Sequence, residues 1–273
     1  MPRAETIRAL ERGIEVLAVL QSNSICSLRD IHRATSIPKP SLLRILKTFE
    51  RTGIVSRRLA DGRYRMRMFT PTPRKRDRYA HVAEAAAPVL DRLCQKVLWP
   101  SDLFVPAGNC MERRESSRPH TPFFIHPGDF KKLGVTVRAN WLLTGVGRAY
   151  LAYCPDKERD AIIQRLRKSD KPEDQLARDP KRLERILAET RARGYATRDA
   201  GFVGGSYNRP PFDDGLAAIV VPLRDRKRVH GSINILFVKT AYTVEQFAAR
   251  HLADLRAAAS EIVASLPDDA RNR

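Results

Sequence analysis

Arg44, Lys47 and Arg51 recur at three- and four-residue spacing, with Lys39 and Ser41 just before them. At about 100° per residue, Ser41, Arg44, Lys47, Thr48 and Arg51 share one arc of a helix. The opposite arc carries Leu42, Ile45, Leu46 and Phe49 at i, i+3, i+4 and i+7. Guanidinium, ammonium and hydroxyl groups held along one face can donate to phosphate oxygens and to the acceptor edges of bases. A few residues on, Arg57, Arg58, Arg63 and Arg65 crowd around Asp61-Gly62, a hairpin signal. An isolated basic face is ordinarily a solvated one, so the weight rests on the surrounding elements agreeing.

Those elements can be read outward from the basic face. Pro38 and Pro40 suit the first turn of a helix, where backbone N–H groups have no intrahelical acceptor, and Gly53 ends it. Upstream, Ser27 and Asp30 in SLRDIHRA match a capping box and predict a short helix that buries Leu28 and Ile31 and ends near Thr35. Residues 6–20 place Ile7, Leu10, Ile14, Leu17, Val19 and Leu20 at helical spacing, which predicts an opening amphipathic helix. Three helices, a tight turn between the last two, and a basic hairpin follow the order of a winged helix-turn-helix, whose second motif helix enters the major groove. Lys39, Ser41 and Arg44 are then expected at base edges, and Lys47, Arg51 and the hairpin arginines at phosphates. Ser27 and Arg29, at the start of the preceding helix, complete the DNA-binding set.

Charge supports a polyanionic partner. Of a net +19, residues 1–80 carry +11 in under a third of the 273-residue chain. No stretch approaches the roughly 18 uninterrupted apolar residues of a membrane span, and MPRAETIRALERGIEVLAVL lacks the apolar core of an export signal. Cys26, Cys94, Cys110 and Cys154 form no C-x-x-C pair, which argues against a disulfide framework and fits a cytoplasmic location with no membrane partner. Six histidines sit in no metal-binding spacing, even with His120 and His126 near Cys110 in sequence, and neither a G-x-S-x-G elbow nor a phosphate-binding loop is present. No catalytic residue, metal ligand or cofactor is therefore expected, and the chain does not read as an enzyme.

The rest of the chain has different texture. PTPRKRDR at 71–78 reads as a connection, and YAHVAEAAAPVLDRLCQKV as a helix in which Pro88 marks a kink or a fresh start. SDLFVPA and CMERRE predict paired strands ahead of a proline- and aromatic-rich loop at 119–130. Helices are expected over 145–153, 156–168 and 179–193, strands in GLAAIVVPL and VHGSINILFV around a turn at 225–228, and a closing helix from Thr243 to Leu266. Antiparallel strands with flanking helices make this an α+β chain. It divides at 1–70 (winged helix-turn-helix), 71–96 (linker helix) and 97–273.

Several residues in the last part could hold a ligand. Gly145-x-Gly147 opens a helix as a dinucleotide loop would, but Tyr150 takes the third glycine position and no βαβ unit accompanies it. Free N–H groups at a helix start bind a carboxylate well; equally, a glycine pair permits close helix–sheet packing. In GSINILF, strand alternation sets Ser232, Asn234 and Leu236 on one face and Ile233, Ile235 and Phe237 on the other. Asn234 is either a ligand's hydrogen-bond partner or a solvent-facing amide. Trp99, Phe104, Met111, Trp141 and Tyr150 can wall an aromatic ring or fill a core. Arg113 can meet a carboxylate or end a strand in solvent.

The segments IRALERGIEVLAVL, SLRDIHRATSIPKPSLLRILKTFERTGIVSRR, LLTGVGRAYLAYCP, ARGYATRD and GLAAIVVPL…VHGSINILF follow the order and spacing of the IclR family of bacterial transcriptional regulators, which the chain resembles from about Thr6 to Leu266. VLWPSDL, DQLARDPKRLERILA and SINILFV…YTVEQFAARHL look closest to its MhpR-like branch. The resemblance implies a winged helix-turn-helix, a linker helix used in dimerisation and a C-terminal GAF-like domain with an antiparallel sheet that binds a small effector. It further implies a homodimer or homotetramer on pseudo-palindromic double-stranded operator DNA, with RNA polymerase as a further partner and an aromatic carboxylic acid as effector. By the family pattern the effector's carboxylate lies near Thr144, Gly145 and Val146, while Asn208, Ala218, Asn234 and Leu236 line the pocket. Phe104, Met111 and Tyr150 are the expected apolar walls. One departure is Pro40, where family members usually carry a small polar residue, so the residues meeting base edges can be displaced. The reading from another class is a small-molecule-sensing GAF-type module with a basic interaction domain and no sequence-specific DNA role.

Overall fold

The computed structural model describes residues 7–23, 26–57, 62–66, 79–119, 138–205, 207 and 213–266. They form two compact units, one ending at Met66 and the other beginning at Tyr79.

The first unit is three helices and a hairpin: α1 (Arg8–Ser22), α2 (Leu28–Thr35), α3 (Lys39–Arg51), β1 (Val55–Arg57) and β2 (Tyr64–Met66). The strands pair antiparallel, Val55 opposite Met66 and Arg57 opposite Tyr64. Cys26 extends the ladder by exchanging backbone hydrogen bonds with Tyr64 at 2.8 and 2.7 Å. Val16, Leu20, Ile31, Leu42, Leu46, Val55 and Tyr64 form the core. The opening helix buries only part of the apolar set that its spacing marks: Leu20 is in the core, and Leu17 and Val19 pack against it. Gly13, Val16 and Leu20 point inward, whereas Ile7, Leu10 and Ile14 are exposed. α1 carries two apolar stripes, and the one with Gly13 lets the helix approach the Phe49 ring of α3, where even a Cβ would sit 3.2 Å away.

The second unit is a five-stranded antiparallel sheet covered on both faces. Its strands are β3 (Ser101–Ala107), β4 (Cys110–Ser117), β5 (Arg138–Ala139), β6 (Leu216–Arg224) and β7 (Val229–Val238), in the order β5-β4-β3-β7-β6. One face packs under α4 (Ala80–Val97) and α8 (Val244–Ala264) through Leu103, Val105, Ile219, Val221, Ile233, Ile235 and Phe237. The other carries α5 (Gly145–Tyr153), α6 (Asp156–Arg167) and α7 (Pro180–Arg193), with a 3-10 turn over Pro172–Arg178. A single helix runs through Pro88, so no new helix starts there. Trp99 lies among Tyr242 and Phe247 on the α4/α8 face, away from the other aromatic candidates, because the strand has not yet begun. The 3-10 turn and the two-residue β5 are too short to leave a periodic signal. The connection at 71–78 and all of the 119–130 loop beyond Pro119 lie outside the described residues.

α5 lies so near its neighbours that two positions exclude a side chain. A Cβ on Gly147 would meet the Trp141 carbonyl oxygen at 2.2 Å, and one on Gly145 the Val220 side chain at 2.6 Å. The Trp141 contact is with backbone and cannot be relieved by a rotamer change. Gly147→Ala is therefore expected to cost about 2 kcal/mol or more in urea unfolding followed by circular dichroism; an unchanged midpoint would contradict this packing.

Candidate nucleic-acid interface and effector face

The turn that presents α3 is built from side chains. Ser27 caps α2 by accepting from the Asp30 N–H at 3.2 Å, while the Asp30 carboxylate accepts from the Ser27 N–H at 2.9 Å and its hydroxyl at 2.7 Å. These bonds from Ser27 hold the Asp30 carboxyl below the usual range. At the other end of α2, Ser36 takes a left-handed conformation (φ 55°), Thr35 Oγ1 accepts from the Ile37 N–H, and His32 Nδ1 pairs with the Ile37 carbonyl at 2.8 Å. Pro38 is then the N-cap of α3 and Pro40 lies in its first turn. Leu42 and Leu46 are buried; Lys39, Pro40, Arg44, Lys47, Thr48 and Arg51 are exposed and Ser41 half-buried. The helix's one acid, Glu50, is half-buried and off the centre of that face.

The other expected DNA contacts divide into three groups. Arg29, Arg57 and Arg63 are exposed. Arg57 is anchored within the hairpin, its Nε donating to the Gly62 carbonyl at 3.2 Å and its guanidinium 5.7 Å from the Tyr64 ring centre. Ser27 is committed to the cap. Arg58 and the side chain of Arg65 lie outside the described residues.

In the second unit, β7 alternates as its sequence implies: Ile233, Ile235 and Phe237 face α4 and α8, Ser232 and Leu236 the α5 side. Phe104, Met111, Val146, Tyr150 and Ala218 meet in one buried cluster with Trp141 and Val220, and Leu236 packs against it. Trp141 and Tyr150 rings pack edge to face at 5.5 Å. Burial, then the hydrogen bond to Glu158 at 2.7 Å, pushes the Tyr150 hydroxyl's pKa far up, so it stays a donor. Thr144 is the N-cap of α5: its hydroxyl accepts from the Gly147 N–H at 3.4 Å and donates to the Asn140 carbonyl. Ser232 Oγ reaches the Val146 carbonyl at 3.0 Å. Asn234 is not solvent-facing; it is buried, and its Oδ1 accepts from the Asp102 N–H at 2.9 Å. Asn208 lies outside the described residues.

Two polar networks escaped sequence reasoning. Asp174, fully buried, accepts from Asn140 Nδ2 at 2.8 Å and the Tyr207 hydroxyl at 2.9 Å, while Asn140 Oδ1 accepts from the N–H groups of Leu142 and Leu143. This fixes the turn that enters α5. Asp102, also buried, pairs with Arg118 at 2.9 Å, lies 3.7 Å from Arg113, and accepts from the Ser116 hydroxyl. Arg113 is thus not a strand end in solvent; its side chain is only 9% exposed. Both networks are made by side chains from separate elements, and nothing local in SDLFVPA marks Asp102 as the centre of one of them.

The chain is a helix-turn-helix protein with a separate α+β unit. Residues 9–59 match the IclR helix-turn-helix domain and residues 137–264 the family described as bacterial transcriptional regulator IclR C-terminal. A relative named "Probable transcriptional regulator SauR" from Cupriavidus necator H16 is 25% identical over 265 residues, 93% of this chain and 95% of that protein. The HTH-type transcriptional regulator BhcR of Paracoccus denitrificans is 24% identical over 196 residues, 70% of this chain and 66% of that protein. In fold, the chain is similar to an IclR family transcriptional regulator from Brucella abortus (TM-score 0.52, 19% identity, covering 96% of this chain and 94% of that one). It is also similar to an IclR transcriptional regulator from Alicyclobacillus acidocaldarius (TM-score 0.50, 18% identity, covering 96% and 100%). This protein belongs to the IclR family of bacterial transcriptional regulators: it is a DNA-binding regulator and not an enzyme. No described helix is long and apolar enough to cross a membrane.

Burial alone would raise the Asp102 carboxyl, but Arg118, Arg113 and Ser116 together hold it below the usual range. A carboxyl depressed in the folded state stabilises above its unfolded pKa and loses that contribution as pH falls through the folded value. Asp102→Asn is expected to cost about 3 kcal/mol at neutral pH. The gap between the melting curves of the two proteins should begin to narrow below about pH 4 and close as pH falls through the lower folded value; a gap independent of pH would contradict the ionised, paired carboxylate.

Proposed function

We propose that the exposed side of α3 reads a pseudo-palindromic operator and that the α5 side of the sheet senses a small carboxylic acid, giving a ligand-responsive regulator. The observation that carries the first part is the division of α3, with Leu42 and Leu46 buried and Arg44, Lys47 and Arg51 exposed on the opposite side. Lys39, Ser41 and Arg44 meet base edges; Lys47, Arg51 and the hairpin arginines hold phosphates. The domain limits are 1–70, 71–96 and 97–273, and the working species is a homodimer or homotetramer that also meets RNA polymerase.

The second part is supported by the convergence of Phe104, Met111, Val146, Tyr150 and Ala218 beside the start of α5. Apolar aromatic walls next to helix N–H groups suit a ring bearing a carboxylate. With the resemblance to the MhpR-like branch, this makes an aromatic acid the effector and its catabolic genes the target. Effector changes DNA binding only by favouring one arrangement of the protein over another.

Arg44→Ala is expected to relax sequence preference, costing about 1–3 kcal/mol on the preferred site and less on random duplex. Lys47→Ala should weaken both alike and lower the salt slope by about one. Equal losses for Arg44→Ala on both duplexes, measured by fluorescence anisotropy, would remove it from base reading. For the effector, a thermal-unfolding panel of aromatic and aliphatic carboxylic acids is the test. Ligand at a hundredfold excess over Kd adds about 2.7 kcal/mol. A rise confined to aromatic acids is expected; a flat panel would overturn the aromatic-acid reading.

A further inference from the structure

The turn joining β6 to β7 concentrates positive charge. Residues 224–228 hold Arg224, Arg226, Lys227 and Arg228 against a single acid, Asp225. That acid is spent on folding the turn. Its backbone N–H donates to the Arg228 carbonyl at 3.1 Å, and its carboxylate accepts from the N–H groups of Lys227 and Arg228 at 2.7 and 2.9 Å. The same carboxylate pairs with Nε2 of the buried His230 at 2.7 Å.

His81, in the first turn of α4, lies against this cluster. Burial first, then the charges of His230 and Arg228, hold its imidazole below the usual histidine range, against the opposing pull of Glu84. Glu84 is exposed, one turn further along α4. Two nitrogens here, His81 Nε2 and Arg228 Nε, are buried without a hydrogen-bond partner among the described residues. A buried donor without an acceptor is costly, and in a cationic cluster the group that relieves it is an anion. Tyr79, the N-cap of α4, supplies no side-chain cap, so the first-turn N–H groups add partial positive charge. The helix start alone would not make a site; the two buried nitrogens do.

We propose that the start of α4 and the β6–β7 turn form a binding site for a small oxyanion, phosphate-like or carboxylate. Its oxygens accept from Arg228 Nε and His81 Nε2, and His81 takes up a proton as the anion arrives. A water molecule could accept from both nitrogens but would leave the charge of the turn uncompensated; an oxyanion does both. None of the DNA-binding or effector residues proposed above belongs to this set, so the site stands apart from both readings. α4 is the first described element after the connection from the helix-turn-helix unit. A bound anion ties its first turn to the β6–β7 turn, and so stiffens the point at which the connection enters the second unit.

The test is an imidazole titration of the full-length protein by NMR, with sulfate as the probe because its charge does not change near neutral pH. Ionic strength is held constant with chloride. H81Q identifies the His81 signal among the six histidines. Sulfate is expected to move that signal saturably and to raise the pH at which it titrates. Lowering the pH from about 7.5 to about 5.5 should then tighten sulfate binding about tenfold. His251, whose imidazole burial also holds low, is the internal control and should not respond. R228Q should abolish the response, while R185Q, exposed on α7, should retain it. Acetate in place of sulfate distinguishes a carboxylate site from a phosphate-like one. A His81 signal indifferent to both anions, or a response that R228Q leaves intact, would overturn the site. The native titration decides the first point, so a poorly folded R228Q does not shield the proposal.

Discussion

The sheet of the second unit is needed on both faces, and the rest of that unit follows from this constraint. Each strand must be apolar toward α4 and α8, yet carry on its other face the residues that receive α5. β7 meets both demands by alternation, with Ile233, Ile235 and Phe237 on one side and Ser232 and Leu236 on the other. α5 can seat on that second face only because Gly145 and Gly147 have no Cβ to hold it off. The turn entering α5 is fixed by the Asn140–Asp174–Tyr207 network, so the helix start is defined by buried hydrogen bonds rather than by loop preference. The two glycine readings are compatible: close packing is what brings a helix start beside Phe104 and Tyr150.

The first unit solves a smaller problem with local means. Its core is slight, so the positions of α2 and α3 rest heavily on caps: the reciprocal Ser27–Asp30 bonds, the left-handed Ser36 and the His32 contact to Ile37. Two prolines set the first turn of α3, at positions where no N–H is missed. Stiff ends allow an exposed basic face to be held in one orientation without acidic partners on that face. Specificity in DNA reading depends on such preorganisation, since phosphate attraction alone is indifferent to sequence.

Much of this was legible in the sequence where one local signal decided the outcome. The α3 stripe, its proline start, the α2 capping box and the alternation of β7 each rest on residues within ten positions of one another. The spacing of α1 puts its exposed row of Ile7, Leu10 and Ile14 on the same apolar side as Leu17, Val19 and Leu20, because that helix has two apolar stripes and periodicity cannot say which one a neighbour covers. The approach of Phe49 to Gly13 decides it, and that is a tertiary contact. Asp102 and Arg113 were opaque for the same reason. In a strand as polar as CMERRESS, nothing local says that one arginine turns inward to a carboxylate contributed by the neighbouring strand. The family resemblance supplied what local signals could not: that the two units belong to one regulator.

The central claim is that α3 carries sequence-specific recognition and that two copies act on one site. Selecting bound duplexes from a random pool with the full-length protein at fixed, near-physiological salt tests it most directly. The account predicts enrichment of an inverted repeat, its half-sites centred about one helical turn, or a whole number of turns, apart. Retention of duplexes without a shared sequence, or enrichment of a lone half-site, would contradict it.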